Sequence, residues 1–258
     1  MLIAVDIGNS NVVLGIYQAA TWTHTLRLES AREASALSFS LQIADYLLEQ
    51  NLSAGQASGL IISSVVPDLT PLVRQACEQV FQRPATMLNA ALYERLKLPI
   101  LRPHEIGADL VANAVAAFDK YRQTCIIIDF GTALTFTTLN DQGSIVGVSI
   151  APGLKTAIHA LYQNTAQLPE VPLELPETVL GLNTTHAIQA GVMLGYVGMV
   201  EKMIERIRRE LNRNCRVVVT GGLSFVMRPL AYLFDDIVPH LTLDGLRLLY
   251  EKSEQQPD

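Results

Sequence analysis

Two short segments of the chain repeat one order of residue types, in which an apolar run leads into Asp, a single apolar residue, Gly and a polar residue. The first spans Asp6–Asn9 and the second spans Asp129–Thr132. Successive backbone N–H groups of such a turn can point at phosphate oxygens, because Gly permits close approach, and the carboxylate can hold a cation or its waters. The pattern indicates binding of nucleotide phosphates.

Each turn has residues for phosphate and a residue for a cation. We expect Asp6 on the Mg²⁺ side of the nucleotide and Asp129 as a cation-binding carboxylate. A plain hairpin turn explains either copy alone, but two aspartates placed identically before two turns have no evident folding purpose. The expected phosphate donors are the residues of the turns themselves: Gly8, Asn9, Ser10, Gly131 and Thr132.

A glycine pair, Gly221 and Gly222, follows the apolar run that starts at Arg216. Strand ends often carry Gly for a turn, which is the default interpretation of the pair alone. Beside two phosphate turns, the pair also fits a wall on which backbone lies flat against an adenosine.

Asp109 follows Gly107 and Ala108, where a helical spacing of apolar residues begins that continues to Phe118. An aspartate at a helix start commonly serves only as a cap. The alternative is a catalytic base that orients an acceptor hydroxyl and takes its proton during phosphoryl transfer. No charged neighbour in the sequence accounts for it as a salt bridge.

The spacing of apolar residues predicts strands on both sides of each turn and helices after each pair of strands. Two such units predict an α/β fold of two halves facing one another across a cleft, with domains at 1–118 and 119–258. We expect Thr70 to cap a helix with Pro71 in its first turn, and the tail from Ser253 to be frayed. The further elements expected are a helix over about 38–49, a strand over 60–66, a helix over about 185–211, a strand over 216–222 and a helix from about 224.

Three glycines of the long helical pattern, Gly191, Gly195 and Gly198, fall on one helix face. Glycine is an expensive choice in a helix interior. Close packing against the sheet and a helix-on-helix contact in a dimer explain the face equally well.

Composition excludes several classes of protein. The 258 residues carry a formal net charge of -6, which offers no basic surface for a nucleic acid. Three scattered cysteines indicate reduced thiols, and the five histidines have no metal-site spacing. The apolar stretch from Gly191 to Val200 is too short to cross a bilayer, and the N-terminus lacks the pattern of a signal peptide. We expect a cytoplasmic protein.

Seven motifs in this order resemble those of the type III pantothenate kinases, within the superfamily of actin-like and sugar-kinase ATPases. Together they extend through nearly the whole chain, which makes the set far more specific than any one motif. The motifs are DIGNSN at Asp6–Asn11, GAD at Gly107–Asp109, DFGTA at Asp129–Ala133, APG at Ala151–Gly153, GLNT at Gly181–Thr184, TGGL at Thr220–Leu223 and LTLDGL at Leu241–Leu246.

The resemblance implies two ribonuclease-H-like α/β domains and an enzyme that phosphorylates pantothenate with ATP, the first step of coenzyme A biosynthesis. It implies Asp109 as proton acceptor, K⁺ or NH₄⁺ at Asp129, and a homodimer in which Thr184 reaches the other subunit's pantothenate. The residues implied for Mg²⁺-ATP are Asp6, Ile7, Gly8, Asn9, Ser10, Asn11, Val12, Val13 and Thr132. Those implied for pantothenate are Ile100, Gly107, Ala108, Asp109, Leu110 and Thr184.

Three positions depart from the family pattern. Leu110 replaces an Arg whose guanidinium suits a substrate carboxylate, Ile100 replaces a Tyr, and Leu134 replaces a Thr. Arg102 is a candidate to restore the missing charge. Leu134 is the milder change, so we expect the nucleotide half of the site to be intact and the acceptor half to be altered.

Two alternatives follow from the altered acceptor half. One is a nucleotide-binding regulator without turnover, and the other is a kinase for another small hydroxyl compound, since a fold alone does not fix the acceptor. Retention of Asp109 argues against the regulator, and retention of Thr184 favours the vitamin.

Overall fold

Two five-stranded sheets form the framework of the computed structural model, which describes residues 1–31, 33–100 and 102–256. One compact unit runs from Met1 to Ala116 and includes the segment that begins at Leu241; the other runs from Ala117 to His240. The first break lies close to the expected boundary at 118. The C-terminal segment, expected in the second domain, instead belongs to the first unit.

The two sheets have the same strand order. It is β3-β2-β1-β4-β5 in the first unit and β8-β7-β6-β9-β10 in the second, with three antiparallel strands and two that run parallel to the central one. The repeat seen in the sequence is therefore a repeat of whole sheets. The strands are β1 (Leu2–Ile7), β2 (Asn11–Gln18), β3 (Thr21–Glu29), β4 (Gly59–Ser64), β5 (Thr86–Met87), β6 (Cys125–Phe130), β7 (Ala133–Leu139), β8 (Ile145–Pro152), β9 (Arg216–Thr220) and β10 (Asp236–Ile237).

Helices connect the strands after each antiparallel set. A π turn over Ala190–Leu194 joins two of them into the long helical stretch expected from the sequence, and Ser224–Leu233 is a 3₁₀ helix. None of the helices in the described ranges is long and apolar enough to cross a membrane. The α-helices are α1 (Ala36–Glu49), α2 (Thr70–Phe81), α3 (Ala90–Arg95), α4 (Ala108–Tyr121), α5 (Leu154–Gln163), α6 (Thr184–Gln189), α7 (Gly195–Leu211) and α8 (Leu241–Gln255).

Alternate residues of β1 are buried on opposite faces of the first sheet, as the two-residue period of a strand requires. Ile3 and Val5 lie in a core with side chains of α1 and α2, whereas Leu2 and Ala4 lie in a core with side chains of α4 and α8. A central strand buried on both faces is fixed in register, because a slip of one residue would exchange its two cores.

The last helix belongs to the first unit because it packs closely on α4. Leu246 and Leu249 are fully buried, and Gly245 lies so near the Ala112 backbone that a Cβ would overlap it. Trp22 Nε1 donates to Asp244 Oδ1 at 2.8 Å. No local signal in the sequence reveals these contacts, since they join the two ends of the chain.

Two local expectations were wrong. Leu69 rather than Thr70 occupies the cap position of α2, and the Thr70 hydroxyl donates to the Val66 carbonyl at 2.8 Å. The expected frayed tail is helical through Gln255, where Ser253 is buried and its hydroxyl donates to the Tyr250 carbonyl at 2.7 Å. The last two residues lie outside the described ranges.

Candidate active site

The first turn begins two residues after Asp6, the penultimate residue of β1. Asp6 pairs with Val13 on β2 and with Ser63 on β4, and Gly8 N donates to Asn11 O at 3.0 Å to close the turn. The sheet therefore presents a half-buried carboxylate where its own backbone pairing ends.

The residues assigned to ATP in this segment divide into an exposed tip and a buried base. Asn9 and Ser10 are exposed, whereas the side chains of Ile7 and Val12 are in the core. Val13 is partly buried and packs on the opposite face. Ile7 and Val12 can thus contact a ligand only through their backbone. Polar side-chain contacts with a ligand would come from Asn9 and Ser10 at the tip.

Ser30, directly after β3, braces the first turn. Its backbone N donates to Ser10 O at 3.1 Å, and its hydroxyl donates to Gly8 O at 2.6 Å. The first and last carbonyls of the three-residue turn are therefore held in place, which fixes the orientation of the peptide groups between them. The sequence did not predict that Ser30 would hydrogen-bond to the first turn, because nothing in the local pattern around Ser30 indicates a contact with residues twenty positions earlier.

The second turn repeats the first with one residue fewer. Asp129 is the half-buried penultimate residue of β6, pairing with Thr135 and Thr220. Gly131 N donates to Ala133 O at 3.1 Å, so the tip consists of Gly131 and the exposed Thr132. The duplicated motif is therefore a structural duplication, with a tighter turn in the second unit.

A brace also supports the second turn, from the residues that follow β8. Gly153 N donates to Thr132 O at 2.9 Å, and the Thr156 hydroxyl donates to the same oxygen at 2.7 Å. A Cβ on Gly153 would lie 2.5 Å from that oxygen. The sequence marks Ala151–Gly153 only as one of the seven resembling motifs, and its contact with the turn explains why it must contain Gly.

Gly221 presses on the carboxylate of the second turn. Its φ of +93° is in the left-handed region that favours glycine, and a Cβ there would collide with Asp129 Oδ1 and lie 2.6 Å from Phe130 N. The exposed Gly222 follows. The glycine pair that we assigned to adenosine thus has a further role, since the first glycine leaves room for the Asp129 side chain.

Asp109 lies in the first turn of α4 with its carboxylate folded back over Gly107. Asp109 Oδ1 accepts from Leu110 N at 2.8 Å and would be 2.5 Å from a Cβ on Gly107. Burial raises the pKa of the Asp109 carboxyl, opposed by the backbone N–H groups of Leu110 and Asp109 itself. The carboxylate thus keeps part of its capping role in an environment that makes it a better base.

Val65 brings the start of α4 close to the first turn. Val65 N donates to Ile7 O at 3.0 Å, and its Cγ1 is 3.6 Å from where a Cβ on Gly107 would be. A cavity of about 400 Å³ is lined by Val65, Gly107 and Ala108, among others. The segment that begins at Asp6 and the segment that begins at Gly107 therefore lie close together inside the first unit.

The remaining residues assigned to the acceptor differ in placement. Leu110 is buried and Ile100 is partly buried against the core that contains α4. Thr184 is exposed at the start of α6, where Asn183 accepts from His186 N at 2.9 Å. Arg102 is paired with Glu105 at 3.0 Å and its side chain is 76% exposed, and it is not among the residues that line the cavity.

Residues 2–206 match the family model described as type III pantothenate kinase. The type III pantothenate kinase of Dehalococcoides mccartyi is 36% identical over 253 residues, covering 98% of this chain and 96% of that protein. The enzyme of the same name from Geobacter sulfurreducens is 35% identical over 255 residues, covering 99% and 100%. The chain belongs to the type III pantothenate kinase family.

Solved structures confirm the fold expected for this family. The ATP-glucomannokinase of an Arthrobacter strain matches with a TM-score of 0.50 at 16% identity, covering 98% of each chain. The activator of 2-hydroxyisocaproyl-CoA dehydratase from Clostridium difficile matches with a TM-score of 0.52 at 12% identity, covering 99% of this chain and 96% of that one. At such identities the likeness shows the fold alone, a pair of ribonuclease-H-like α/β domains.

The two turns fit the ligands of a kinase of this family. Within the described ranges, no group of three or more His, Cys, Asp or Glu side chains could hold a metal ion by itself. Mg²⁺ in kinases is commonly bound by one or two carboxylates together with substrate phosphates, and each turn supplies one carboxylate beside exposed backbone. Asp6 and Asp129 therefore suit cations that arrive with a nucleotide.

Replacing Gly221 with Ala should weaken binding of Mg²⁺-ATP by at least about tenfold, because the added Cβ displaces the Asp129 carboxylate and strains a left-handed backbone. Calorimetric titration with a non-hydrolysable ATP analogue measures the affinity. Gly147→Ala is the matched control, since Gly147 lies in the same sheet with nothing within 4 Å of its Cβ position. Equal affinities of the two variants would contradict the role assigned to Gly221.

Proposed function

We propose that the protein transfers the γ-phosphoryl group of ATP to the primary hydroxyl of pantothenate, giving 4′-phosphopantothenate in the cytoplasm. The observation that carries the proposal is the Asp109 carboxylate, held at the start of α4 next to a cavity of about 400 Å³ in a chain of this family. The names of the relatives support pantothenate as the acceptor.

The nucleotide would be held mainly by backbone. N–H groups of Gly8, Asn9 and Ser10 in the first turn and of Thr132 in the second are the proposed phosphate donors, with Asp6 on the Mg²⁺ side. Mg²⁺ supplies neutralisation of charge on the transferring group. The braces from Ser30 and Gly153 keep these peptide groups oriented before the nucleotide arrives, which lowers the cost of reorganisation during the reaction.

Asp109 would act on the acceptor. Its carboxylate accepts the proton of the pantothenate hydroxyl as the bond to phosphorus forms, and ADP leaves. Phosphoryl transfer depends chiefly on positioning and charge stabilisation, so orienting the hydroxyl is as important as taking the proton. The raised pKa favours this role, because a base is most effective when its pKa lies near the working pH.

Asp109→Asn should lower kcat for pantothenate-dependent ADP release by about 10²–10⁴-fold, the usual contribution of a general base. In the wild type, kcat/KM should fall with falling pH as Asp109 becomes protonated. This fall in kcat/KM should occur at a higher pH than the titration range of an ordinary Asp, since the pKa of Asp109 is raised. Asp45→Asn on the exposed face of α1 is the control. A pH profile unchanged in shape after Asp109→Asn would refute the assignment.

Asp129 is the proposed site of a monovalent cation, K⁺ or NH₄⁺. Activity of the wild type should rise with K⁺ at constant ionic strength, and Asp129→Asn should abolish the response while lowering activity at least about tenfold through loss of the negative charge. The measurement is ADP release against K⁺ concentration with Na⁺ as the balancing ion. A variant that is still activated by K⁺ would place the cation elsewhere.

A homodimer contact is proposed for the glycine face of the π turn and α7. Cβ atoms built on Gly191, Gly195 and Gly198 meet no described atom within 4 Å beyond their chain neighbours and the backbone of their own helix, and all three residues are exposed. Close packing of these glycines against the sheet is therefore wrong. Three exposed glycines reduce the stability of the helix and leave its face without side chains. Such a face favours the alternative, in which a helix from a second copy approaches closely.

Gly195→Leu should convert the dimer into a monomer at micromolar concentrations, because the side chain prevents close approach of two helices. Sedimentation equilibrium measures the mass directly. Glu210→Leu adds the same side chain at an exposed position of α7 away from the glycine face and should leave the mass unchanged. If Thr184 contacts pantothenate across the dimer, KM for pantothenate should rise in the monomeric variant. A dimer that persists in Gly195→Leu would exclude this face.

A further inference from the structure

The cavity at the start of α4 has few polar side chains on its wall. Most of them already have partners in the first unit. The Ser64 hydroxyl contacts Thr70 Oγ1 at 2.7 Å, Asn89 caps α3, and Glu105 accepts from Arg102 at 3.0 Å. The polar side chains that line the cavity are Ser64, Asn89, Tyr93, His104 and Glu105. The remaining groups are one phenol and one imidazole.

The phenol is held rigidly, whereas the imidazole is on an exposed turn. Tyr93 is only 3% exposed, and its ring packs in the core that contains Leu92, Leu96 and Ala108. Within the described part of the chain, no hydrogen bond to the Tyr93 hydroxyl is formed. Tyr93 is thus both packed in this core and part of the cavity wall, which makes its phenol the buried polar group of that wall.

Tyr93 is also close to the proposed base. Burial raises the pKa of the Tyr93 hydroxyl to about 12, and the Asp109 carboxylate contributes to the rise. The hydroxyl is therefore protonated at neutral pH and serves as a hydrogen-bond donor. The nearby positions Ile100 and Leu110 have no polar side-chain atom, so they cannot recognise a polar acceptor in this way.

We propose that Tyr93 is a specificity-determining residue whose hydroxyl donates a hydrogen bond to the acceptor next to the hydroxyl group that receives the phosphate. The proposal rests on the proposed function, since it takes the cavity as the acceptor site. A site built to bind a polar group rejects compounds that lack it, because the buried partner is left without a hydrogen bond. Tyr93 would thus select acceptors by their reacting end rather than by their carboxylate.

The test compares Tyr93→Phe with the wild type in pantothenate-dependent ADP release at saturating Mg²⁺-ATP. Removing one hydrogen bond should raise KM for pantothenate by about 5- to 10-fold and leave KM for ATP and the melting temperature unchanged. Tyr250→Phe is the matched control, because Tyr250 is a partly buried phenol in the same core that does not line the cavity. An increase in KM for both substrates, or equal effects of the two variants, would overturn the proposal.

A second acceptor shows which end of pantothenate the Tyr93 hydroxyl contacts. The alcohol analogue of pantothenate keeps the reacting end and replaces the carboxylate with a hydroxymethyl group. Because it keeps the hydroxyl that receives the phosphate, it is itself an acceptor, and its KM in analogue-dependent ADP release should rise in Tyr93→Phe by the same factor as KM for pantothenate. An effect on pantothenate alone would place the phenol at the carboxylate and overturn the proposal. Wild-type protein without pantothenate-dependent ADP release would overturn the proposed function and this inference together, whereas release with an unchanged KM in Tyr93→Phe overturns only the inference.

Discussion

The structure depends on a carboxylate placed where the central strand of each sheet ends. Asp6 and Asp129 still pair with neighbours on both sides, so their backbones are fixed by the sheet while their side chains are half-buried. The peptide groups that follow have left the ladder and would need other partners. A turn that offers several N–H groups beside a carboxylate is the arrangement that phosphate and its cation require. Burial of the central strand on both faces then prevents the register shifts that would move the carboxylate.

The two units use this arrangement with different tips. The first turn has three residues between its strands and the second has two, and Gly221 lies against the aspartate of the second turn. A longer tip supplies more N–H groups for phosphate, whereas a tighter tip leaves the carboxylate more confined. The difference is consistent with the division of roles proposed for the two carboxylates, with Asp6 on the Mg²⁺ side and Asp129 at a monovalent cation.

The sequence predicted what local patterns can determine. Both turns, the helix beginning at Ala108 and the strand before Gly221 were all evident, because period and turn chemistry act over a few residues. The contacts made over long distances along the chain were not predictable. Ser30 braces a turn twenty residues away, and α8 packs on the first unit although it follows the second along the chain. Such partners are selected by packing in three dimensions, and a single sequence gives no measure of it.

Two of the three departures from the family pattern, Ile100 and Leu110, fall on the proposed acceptor side for a physical reason. The phosphate donors proposed here are backbone N–H groups. Their geometry requires glycine and a fixed strand register, so few substitutions leave it intact. The cavity proposed for the acceptor is instead lined by residues from a strand end, α3, a turn and the start of α4. Side chains on separate elements can exchange roles without moving the backbone. The phenol of Tyr93 on α3 can thus supply the hydroxyl that the Tyr of the family pattern would supply at position 100. Leu110 and Ile100 are therefore compatible with an intact kinase, provided that the cavity keeps a fixed donor beside Asp109.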